Sequence, residues 1–305
     1  MGLTLTQALR LDHIPPPRVA FVGAGGKTTA IFQLARELHP CIVTTTTHLG
    51  AWQADAADQH IIIRKSEDVN QLEEIAFSGV ILVTGEEESN RLTALSPQEL
   101  HWLEQFCNVH SLPLLIEADG ARGKPLKAPA AHEPVIPEFV DTVVVVAGLS
   151  GIGKELEEDV IYNAEGFAIL GKMKDGKKVT CESLANVLMH SEGGSKGIPS
   201  HARRVALLNQ ADTPELQAIG GKVAQQLLTV FDSVLCASLQ TSTFTLQTFE
   251  PTAAIILAAG ESTRFGQPKQ LLDYHGLPFI RAVVEAALQA ELSPVVVVTG
   301  SQHKD

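Results

Sequence analysis

The fold is decided by the stretch Val19-Ala20-Phe21-Val22-Gly23-Ala24-Gly25-Gly26-Lys27-Thr28-Thr29. Its first four residues form an apolar run that suits a buried parallel strand, and glycines then interrupt the run. Residues 30–38 follow with apolar side chains at helical spacing. A strand, a glycine loop and a helix in this order predict a phosphate-binding loop, because loop N–H groups and a helix N-terminus both attract phosphate.

The polar residues of this loop have expected roles. Lys27 would reach the β- and γ-phosphates, and we expect its ammonium group to be exposed when no nucleotide is bound. The hydroxyl of Thr28 would hold Mg²⁺. The spacing G-x-x-G-K-T-T resembles the loop of the Mur ligases and folylpolyglutamate synthetases, whereas a glycine turn that merely begins a helix is the alternative. The residues predicted to hold the nucleotide here are Gly23, Gly25, Gly26, Lys27, Thr28 and Thr29.

The composition argues against several classes of protein. The chain has 305 residues and a formal net charge of −12, which argues against a nucleic-acid partner. No apolar run approaches the length of a membrane span, so we expect no membrane association. The four cysteines form no C-x-x-C pair, which is typical of thiols in a reducing compartment, so a cytoplasmic location is expected.

Apolar runs alternate with helical patterns along residues 1–248. This alternation predicts an α/β fold: a P-loop NTPase-like, mostly parallel sheet with flanking helices and with ligands at the carboxyl ends of the strands. A helix is expected over residues 97–109. Strands are expected at residues 19–22, 41–43, 60–63, 79–84, 112–116, 141–149 and 204–209.

The run at residues 112–116 ends in Glu117-Ala118-Asp119-Gly120, which has the form of a Walker B strand. Strand alternation places Glu117 and Asp119 on the same side, so both could face one Mg²⁺ ion. Asp119 is the preferred ligand, because Gly120 would let the backbone turn sharply. One of the threonines at residues 44–47 could complete the magnesium shell, or these residues could simply extend a strand; which threonine is involved stays open.

A proline-stiffened loop at residues 122–137 leaves the end of that strand, where the γ-phosphate is expected. Its cations could bind a second, anionic substrate or stabilise a transferring phosphate. Its adjacent His132 and Glu133 could act as base or metal ligands, and a surface loop with scattered charges is the alternative. The candidates for catalysis are Lys27, Glu117, Asp119, Arg122, Lys127 and His132.

Together these motifs resemble the YqeC family over residues 1–245. The resemblance implies an accessory role in the maturation of selenium-dependent molybdenum hydroxylases, within selenium cofactor biosynthesis. It therefore implies a cofactor-like substrate and hydroxylase maturation factors as partners, but no particular reaction. The segments that carry it are residues 23–29, 44–48, 117–122, 125–129 and 132–137.

The strand at residues 204–209 leads into Asn209-Gln210-Ala211-Asp212, which is close to the N-K-x-D motif of GTPases. In that motif the aspartate pairs with guanine and the asparagine supports the phosphate loop. Gln210 stands where the usual lysine packs on the base. The polar residues could instead cap the helix that follows, so ATP or GTP is expected, with GTP favoured.

The sequence changes character at residue 249, which predicts a second domain over residues 249–305. A strand at residues 253–257 is followed by Ala258-Ala259-Gly260-Glu261-Ser262-Thr263-Arg264-Phe265-Gly266-Gln267-Pro268-Lys269. This segment resembles the signature of MobA-like nucleotidyltransferases, which include the molybdenum cofactor cytidylyltransferases. The resemblance implies that backbone groups at Gly260 hold a nucleotide.

The same resemblance implies that Arg264 and Lys269 neutralise a triphosphate, with CTP as the nucleotide in a longer chain. The sequence ends at Asp305 after one strand–helix–strand unit. We therefore expect an incomplete Rossmann-like nucleotidyltransferase unit that transfers no cytidylyl group by itself.

These observations predict a Mg²⁺-dependent NTP-binding protein that hydrolyses the nucleotide or transfers phosphate to an anionic small molecule or cofactor. One alternative is a nucleotide-switched cofactor carrier or chaperone, in which hydrolysis only times release. Steady turnover of a phosphate acceptor would separate these two. The other alternative is a molybdenum cofactor cytidylyltransferase, which the C-terminal motif favours.

Overall fold

The computed structural model describes residues 2–12, 14–174, 178–240, 245–260, 268–290 and 292–300. The chain divides into two compact units, Met1–Phe249 and Glu250–Asp305. Over the described parts of both units, we find no helix that is long and apolar enough to cross a membrane.

A nine-stranded sheet lies at the centre of the first unit. Its strands in chain order are β1 Arg18–Gly23, β2 Cys41–Thr45, β3 Gln59–Ile62, β4 Val80–Thr84, β5 Leu114–Glu117, β6 Thr142–Gly148, β7 Arg203–Asn209, β8 Ser233–Ser238 and β9 Thr245–Phe249. Their order across the sheet is β9-β8-β7-β6-β1-β5-β2-β4-β3. All neighbours are parallel except β9, which runs antiparallel to β8. The predicted α/β fold with a mostly parallel sheet is confirmed.

Helices cover both faces of this sheet. They are α1 Leu5–Ala8, α2 Lys27–Glu37, α3 Gln71–Glu74, α4 Pro97–Val109, α5 Ala164–Leu170, α6 Cys181–Met189 and α7 Pro214–Leu227. One apolar cluster contains buried residues of α1 and α2, and the other contains those of α4 to α7. In β1, Ala20 and Val22 belong to the second cluster, while Val19 and Phe21 belong to the first. Burial on both faces explains why the central strands are continuously apolar.

Short segments surround the carboxyl ends of the strands. The segment after β2 forms an edge strand, Leu49–Gly50, and then a 3₁₀ helix, Ala51–Ala56. The segment after β4 forms a hairpin from Glu87–Glu88 and Arg91–Leu92, and this hairpin pairs with the edge strand. Other short elements are the 3₁₀ helices Ser66–Asn70 and Leu149–Gly151 and the parallel pair Leu126–Lys127 with Ile161–Tyr162.

The second unit is a strand–helix–strand arrangement, as predicted. Strands β10 Ala254–Ala258 and β11 Val295–Thr299 are parallel partners, and α8 Phe279–Gln289 lies between them in the chain. A 3₁₀ helix, Lys269–Leu271, and a small hairpin of Asp273–Tyr274 and Leu277–Pro278 precede α8.

Candidate functional site

The loop between β1 and α2 adopts a conformation that only glycine takes easily. Gly25 has φ of 85° and Gly26 has φ of 111°, both in the region that disfavours residues with a Cβ atom. A Cβ atom at Gly25 would lie 2.2 Å from the backbone nitrogen of Gly148, and one at Gly26 would lie 2.4 Å from Nδ2 of Asn209. Glycines are therefore required both by the backbone and by the close approach of the neighbouring strands.

The first N–H groups of the loop already have partners within the protein. The N–H of Gly23 donates to Oδ2 of Asp119 at 2.9 Å, and that of Ala24 donates to the carbonyl of Val146 at 2.8 Å. The N–H of Gly25 donates to the carbonyl of Lys124 at 3.0 Å. Here the structure differs from the prediction, because Gly23 and Gly25 use these groups to hold the loop.

The N-terminus of α2 supplies the N–H groups that remain for a phosphate. Its N-cap, Gly26, makes no side-chain capping hydrogen bond, so the N–H groups of the first turn lack intrahelical partners. Residues 24–29 line a cavity of about 740 Å³. An uncapped helix N-terminus at a cavity of this size suits an anion.

The charged side chains around this cavity are mostly positive. Four cations and one carboxylate line it, although the whole chain carries a net charge of −12. This local excess of positive charge favours a polyanionic ligand. The charged lining residues are Lys27, Arg91, Arg122, Lys124 and Glu117.

Lys27 is buried rather than exposed, so that expectation is wrong. Its Nζ lies 2.7 Å from Oδ1 of Asp119, 3.9 Å from Oε1 of Glu117 and 2.6 Å from the carbonyl oxygen of Gly23. The reason is tertiary: β5 pairs with β1, and Glu117 lies opposite Phe21. Burial by itself lowers the pKa of Lys27, but the neighbouring Asp119 and Glu117 carboxylates outweigh burial and raise this pKa above its ordinary value.

Lys127 also has a structural position that the sequence did not suggest. Its Nζ lies 2.9 Å from Oδ2 of Asp119 and 2.8 Å from Oε2 of Glu133, and it also donates to the carbonyl of Gly120. The Lys127 and Asp119 side chains are only 1% and 2% exposed. Lys127 is therefore part of a buried ion-pair cluster, and it is not among the residues that line the cavity. Its side chain is therefore not the accessible cation that the sequence analysis expected, and its role in catalysis stays a prediction.

Glu117 and Thr28 place two side-chain oxygens close together at the cavity. The hydroxyl of Thr28 donates to Oε2 of Glu117 at 3.3 Å, and Nε2 of Gln53 donates to that hydroxyl at 2.6 Å. Burial raises the pKa of Glu117; Lys27 lowers this pKa and Asp119 raises it further. Asp119, the preferred magnesium ligand of the sequence analysis, is instead held between two lysines.

Glu117 and Thr28 are the residues that could offer oxygens to a magnesium ion here. Among the described residues, no group of three or more His, Cys, Asp or Glu side chains is suited to hold a metal ion. Magnesium usually takes one or two protein oxygens and completes its shell with phosphate and water. Gly120 does not make the sharp turn that was expected to favour Asp119, because its φ is not positive and a Cβ atom there would contact nothing within 4 Å.

The threonines after β2 mainly hold the sheet together. The hydroxyls of Thr44, Thr45 and Thr46 donate to the carbonyls of Val83, Glu117 and Val135 at 2.7, 2.9 and 2.7 Å. None of the threonines at residues 44–47 is among the residues that line the cavity. Of the two alternatives for these threonines, a magnesium ligand or a simple extension of the strand, the structure agrees with the second.

Asn209 and Asp212 are brought to the other side of the loop by β7. Asn209 is buried, and its Nδ2 donates to the carbonyl of Gly25 at 2.8 Å, so it supports the glycine loop. Asp212 is exposed, and its Oδ1 accepts a hydrogen bond from Ser238 at 2.5 Å. The helix cap that follows is Thr213, whose side chain accepts from the N–H of Leu216, so Asn209 and Asp212 do not cap α7.

The remaining candidates lie at different places. Arg122 is exposed at the cavity, with its guanidinium carbon 5.6 Å from the ring centroid of Tyr162. His132 is exposed and is not among the lining residues. In the second unit, Gly260 and Lys269 are exposed, whereas Arg264 lies outside the described residues.

Sequence reasoning missed several residues at the site. Gln53, Trp52 and Arg91 line the cavity from the short segments after β2 and β4, and Ser238 contacts Asp212 from β8. These segments have no hydrophobic periodicity that would have identified them. The Thr-Thr-Thr-Thr-His run at residues 44–48 was the nearest available signal, and it leads directly into the segment with Trp52.

Comparisons with known proteins match two parts of the chain to known families. Residues 19–165 match the family model described as YqeC protein, and residues 254–305 match the model described as MobA-like NTP transferase domain. The chain is 29% identical over 204 residues to the "Uncharacterized protein YqeC" of Escherichia coli (strain K12). The aligned region covers 64% of this chain and 76% of that protein. No solved structure matches the chain. The resemblances to the YqeC family and to the MobA-like nucleotidyltransferases are confirmed.

Proposed function

We propose that this chain, with its YqeC and MobA-like segments, binds a nucleoside triphosphate with Mg²⁺ and hydrolyses it or transfers its terminal phosphate. The site would serve the biosynthesis of a molybdenum or selenium cofactor, as the resemblance to the YqeC family implies. The observation that carries this proposal is the uncapped N-terminus of α2 at a positively lined cavity, with Lys27, Thr28 and Glu117 beside it.

The triphosphate would bind at the first turn of α2. The N–H groups of residues 26–29 would donate to phosphate oxygens, and the helix dipole would favour the negative charge. Thr28 and Glu117 would hold Mg²⁺, which neutralises charge on the phosphates when it is bound. Glu117 must be ionised for this role, and its position beside Thr28 provides two oxygens on one side of the ion.

Lys27 would exchange partners when the nucleotide binds. Its ammonium now contacts Asp119 and the carbonyl of Gly23, and the phosphates would take the place of these contacts. Arg122 is exposed at the cavity and has a long side chain, so it can reach a transferring phosphate. A positioned arginine at that place stabilises the charge of the transition state.

Guanine is the base that the other side of the loop favours. One oxygen of the Asp212 carboxylate accepts from Ser238, which orients the carboxylate while its other oxygen can accept from the base. Guanine presents two adjacent N–H donors to such an acceptor, and adenine does not. Asn209 links this region to the phosphate loop through Gly25. GTP is therefore the preferred nucleotide, and ATP is the alternative.

The proposal can be tested by calorimetric titration of the full chain with GTP, ATP and CTP in the presence of Mg²⁺. GTP should bind most tightly, and Glu117→Gln should weaken Mg²⁺-dependent binding by at least about tenfold. Glu86→Gln is a matched control, because Glu86 is an exposed acid paired with Arg64. Equal affinity of all variants for GTP, or no binding of any nucleotide, would refute the site.

Phosphate release under steady-state conditions then separates an enzyme from a nucleotide-switched carrier. An enzyme should turn over repeatedly, and the rate should respond to its acceptor. A carrier should release phosphate about once for each binding cycle of its partner. Both roles use the same site, so the binding experiment above applies to both.

Cytidylyl transfer is a second candidate function, and the match of residues 254–305 to a MobA-like domain favours it. Gln270 of that unit donates to the carbonyl of Ala258 at 3.3 Å, which ties the signature segment to the end of β10. Pyrophosphate release from CTP and molybdopterin cofactor would support this candidate if Lys269→Ala abolishes it and Lys27→Ala does not.

A further inference from the structure

The cavity extends to both sides of the N-terminus of α2. Gln210 and Gln240 line it on the side of β7 and β8. Asp212 follows β7 and accepts from Ser238 of β8, although it is not itself one of the lining residues. Trp52 and Arg91 line the cavity from segments that follow β2 and β4, on the other side of β1 in the sheet order. A nucleotide whose base lies towards Asp212 would leave this second side of the cavity available.

Trp52 offers a flat apolar surface on that second side. Its side chain is 69% exposed, which is unusual for tryptophan because burial of its large ring is favourable. The segment that carries it is nevertheless anchored: Nε2 of the adjacent Gln53 donates to Thr28 at 2.6 Å, and the N–H of Gly50 donates to Oε1 of Gln53 at 2.8 Å. An exposed indole on a fixed segment beside the phosphate loop is suited to stack on a planar ligand.

Arg91 brings a positive charge to the same side of the cavity, because it lies opposite Gly50 in the strand register and Gly50 is two residues before Trp52. It is exposed in the hairpin after β4, whose turn residues Ser89 and Asn90 have φ of 50° and 65°. The carbonyl of Asn90 accepts from the N–H of Ala51 at 3.1 Å, which ties the hairpin to the segment with Trp52. Glu88 lies opposite Arg91 in the hairpin register, yet no ion pair of Arg91 is found in the part of the chain that the structure describes.

We propose that the side of the cavity formed by Trp52 and Arg91 binds the second substrate of the nucleotide-dependent reaction. The substrate class is a planar heteroaromatic compound that carries a phosphate or carboxylate group. Its ring would stack on Trp52, and its anionic group would pair with Arg91. This inference rests on the proposed function, because the other side of the cavity is assigned to the nucleotide.

Flavin mononucleotide and pyridoxine phosphate are suitable probes, since each combines a planar ring with a phosphate. Riboflavin and pyridoxine are matched compounds without the charge, and ribose 5-phosphate is a matched compound without the ring. The chain contains two tryptophans, so the variant Trp102→Phe reports on Trp52 alone by fluorescence. At least one charged planar probe should quench this fluorescence saturably in the presence of GTP and Mg²⁺, and the matched compounds should bind at least about tenfold more weakly.

Two variants test the named residues. Trp52→Ala and Arg91→Ala should each weaken the binding of the probe by about tenfold or more, and should weaken the binding of GTP several-fold less than that of the probe. Arg64→Ala is the matched control for an exposed arginine, because Arg64 pairs with Glu86 away from the cavity lining.

Three results would overturn this inference. The first is that neither charged planar probe binds, and the second is that both variants bind the probe as the parent protein does. The third is that Trp52→Ala weakens GTP binding to the same extent as probe binding, which would place the nucleotide base on Trp52. A result that refutes the proposed function is distinguishable from these three: the parent protein would fail to bind GTP, whether or not the probes bind.

Discussion

Replacing Lys127 with alanine should destabilise the first unit, because its ammonium group is buried between two carboxylates. Its Nζ lies 2.9 Å from Asp119 and 2.8 Å from Glu133, and its side chain is 1% exposed. Asp119 would keep Lys27 at 2.7 Å and the N–H of Gly23 at 2.9 Å. Glu133 would keep only two N–H contacts, at 3.4 and 3.3 Å, so most of the cost falls on Glu133.

The size of the effect follows from the loss of one partner of a buried ion pair, which costs about 3–5 kcal/mol. For a unit of this size, 1 kcal/mol shifts the melting temperature by about 2–4 °C. The variant should therefore melt about 6–20 °C lower than the parent protein. Adding Glu133→Gln to Lys127→Ala should recover part of the loss, because it removes the uncompensated carboxylate.

Thermal and urea unfolding of the full chain, followed by circular dichroism, would measure this loss. Lys65→Ala is the matched control: Lys65 is exposed and pairs with Glu67 at 3.0 Å, so its removal should change stability by less than about 0.5 kcal/mol. A stability loss below about 1 kcal/mol, together with a tenfold loss of GTP affinity, would refute the reasoning. Lys127 would then be the accessible phosphate-binding cation that the sequence suggests.

Three further predictions concern the nucleotide. Burial raises the pKa of Glu117 above its ordinary value of 4.5, and magnesium needs the ionised form of this carboxylate. Affinity for Mg²⁺-GTP should therefore rise with pH above 4.5, and Glu117→Gln should remove this part of the pH dependence. The same dependence of Mg²⁺-GTP affinity on pH in the parent protein and in Glu117→Gln would contradict this prediction. Asp212→Asn should shift preference from GTP to XTP in competition binding, and equal binding of ATP and GTP by the parent protein would argue against the guanine assignment. Lys27→Met should lower GTP affinity by at least about tenfold in calorimetry while the folded state persists, and unchanged affinity would count against the phosphate loop.

Much of the fold was predictable because its signals are local. The residues of β1, the glycine loop and α2 follow one another directly in the sequence, so their order could be recognised there. The predicted helix at residues 97–109 agrees with α4 Pro97–Val109. Ser96 caps that helix and Pro97 occupies its first position, which are strong start signals. The strands β8 and β9 were not predicted. In β9, no residue is fully buried, so its sequence lacks the continuous apolar run of the central strands.

The ion-pair partners of the buried lysines could not be predicted from local sequence signals. Lys27 meets Asp119 only because β5 pairs beside β1, across about 90 residues of sequence. Lys127 is buried for a similar reason, since the parallel pairing of Leu126–Lys127 with Ile161–Tyr162 draws its segment inwards. A sequence shows which residues are charged, whereas burial and pairing depend on which strands become neighbours.

The buried cluster explains why two lysines share one aspartate. Lys27 must leave Asp119 if it is to contact a phosphate, and an abandoned buried carboxylate would be costly. Asp119 retains the ammonium of Lys127 and the N–H of Gly23, so it stays compensated when Lys27 moves. Glu117 would receive Mg²⁺ at the same time, which replaces the positive charge that Lys27 withdraws from it. Lys127 would then act on the nucleotide only indirectly, because it would keep the acid cluster stable when Lys27 moves.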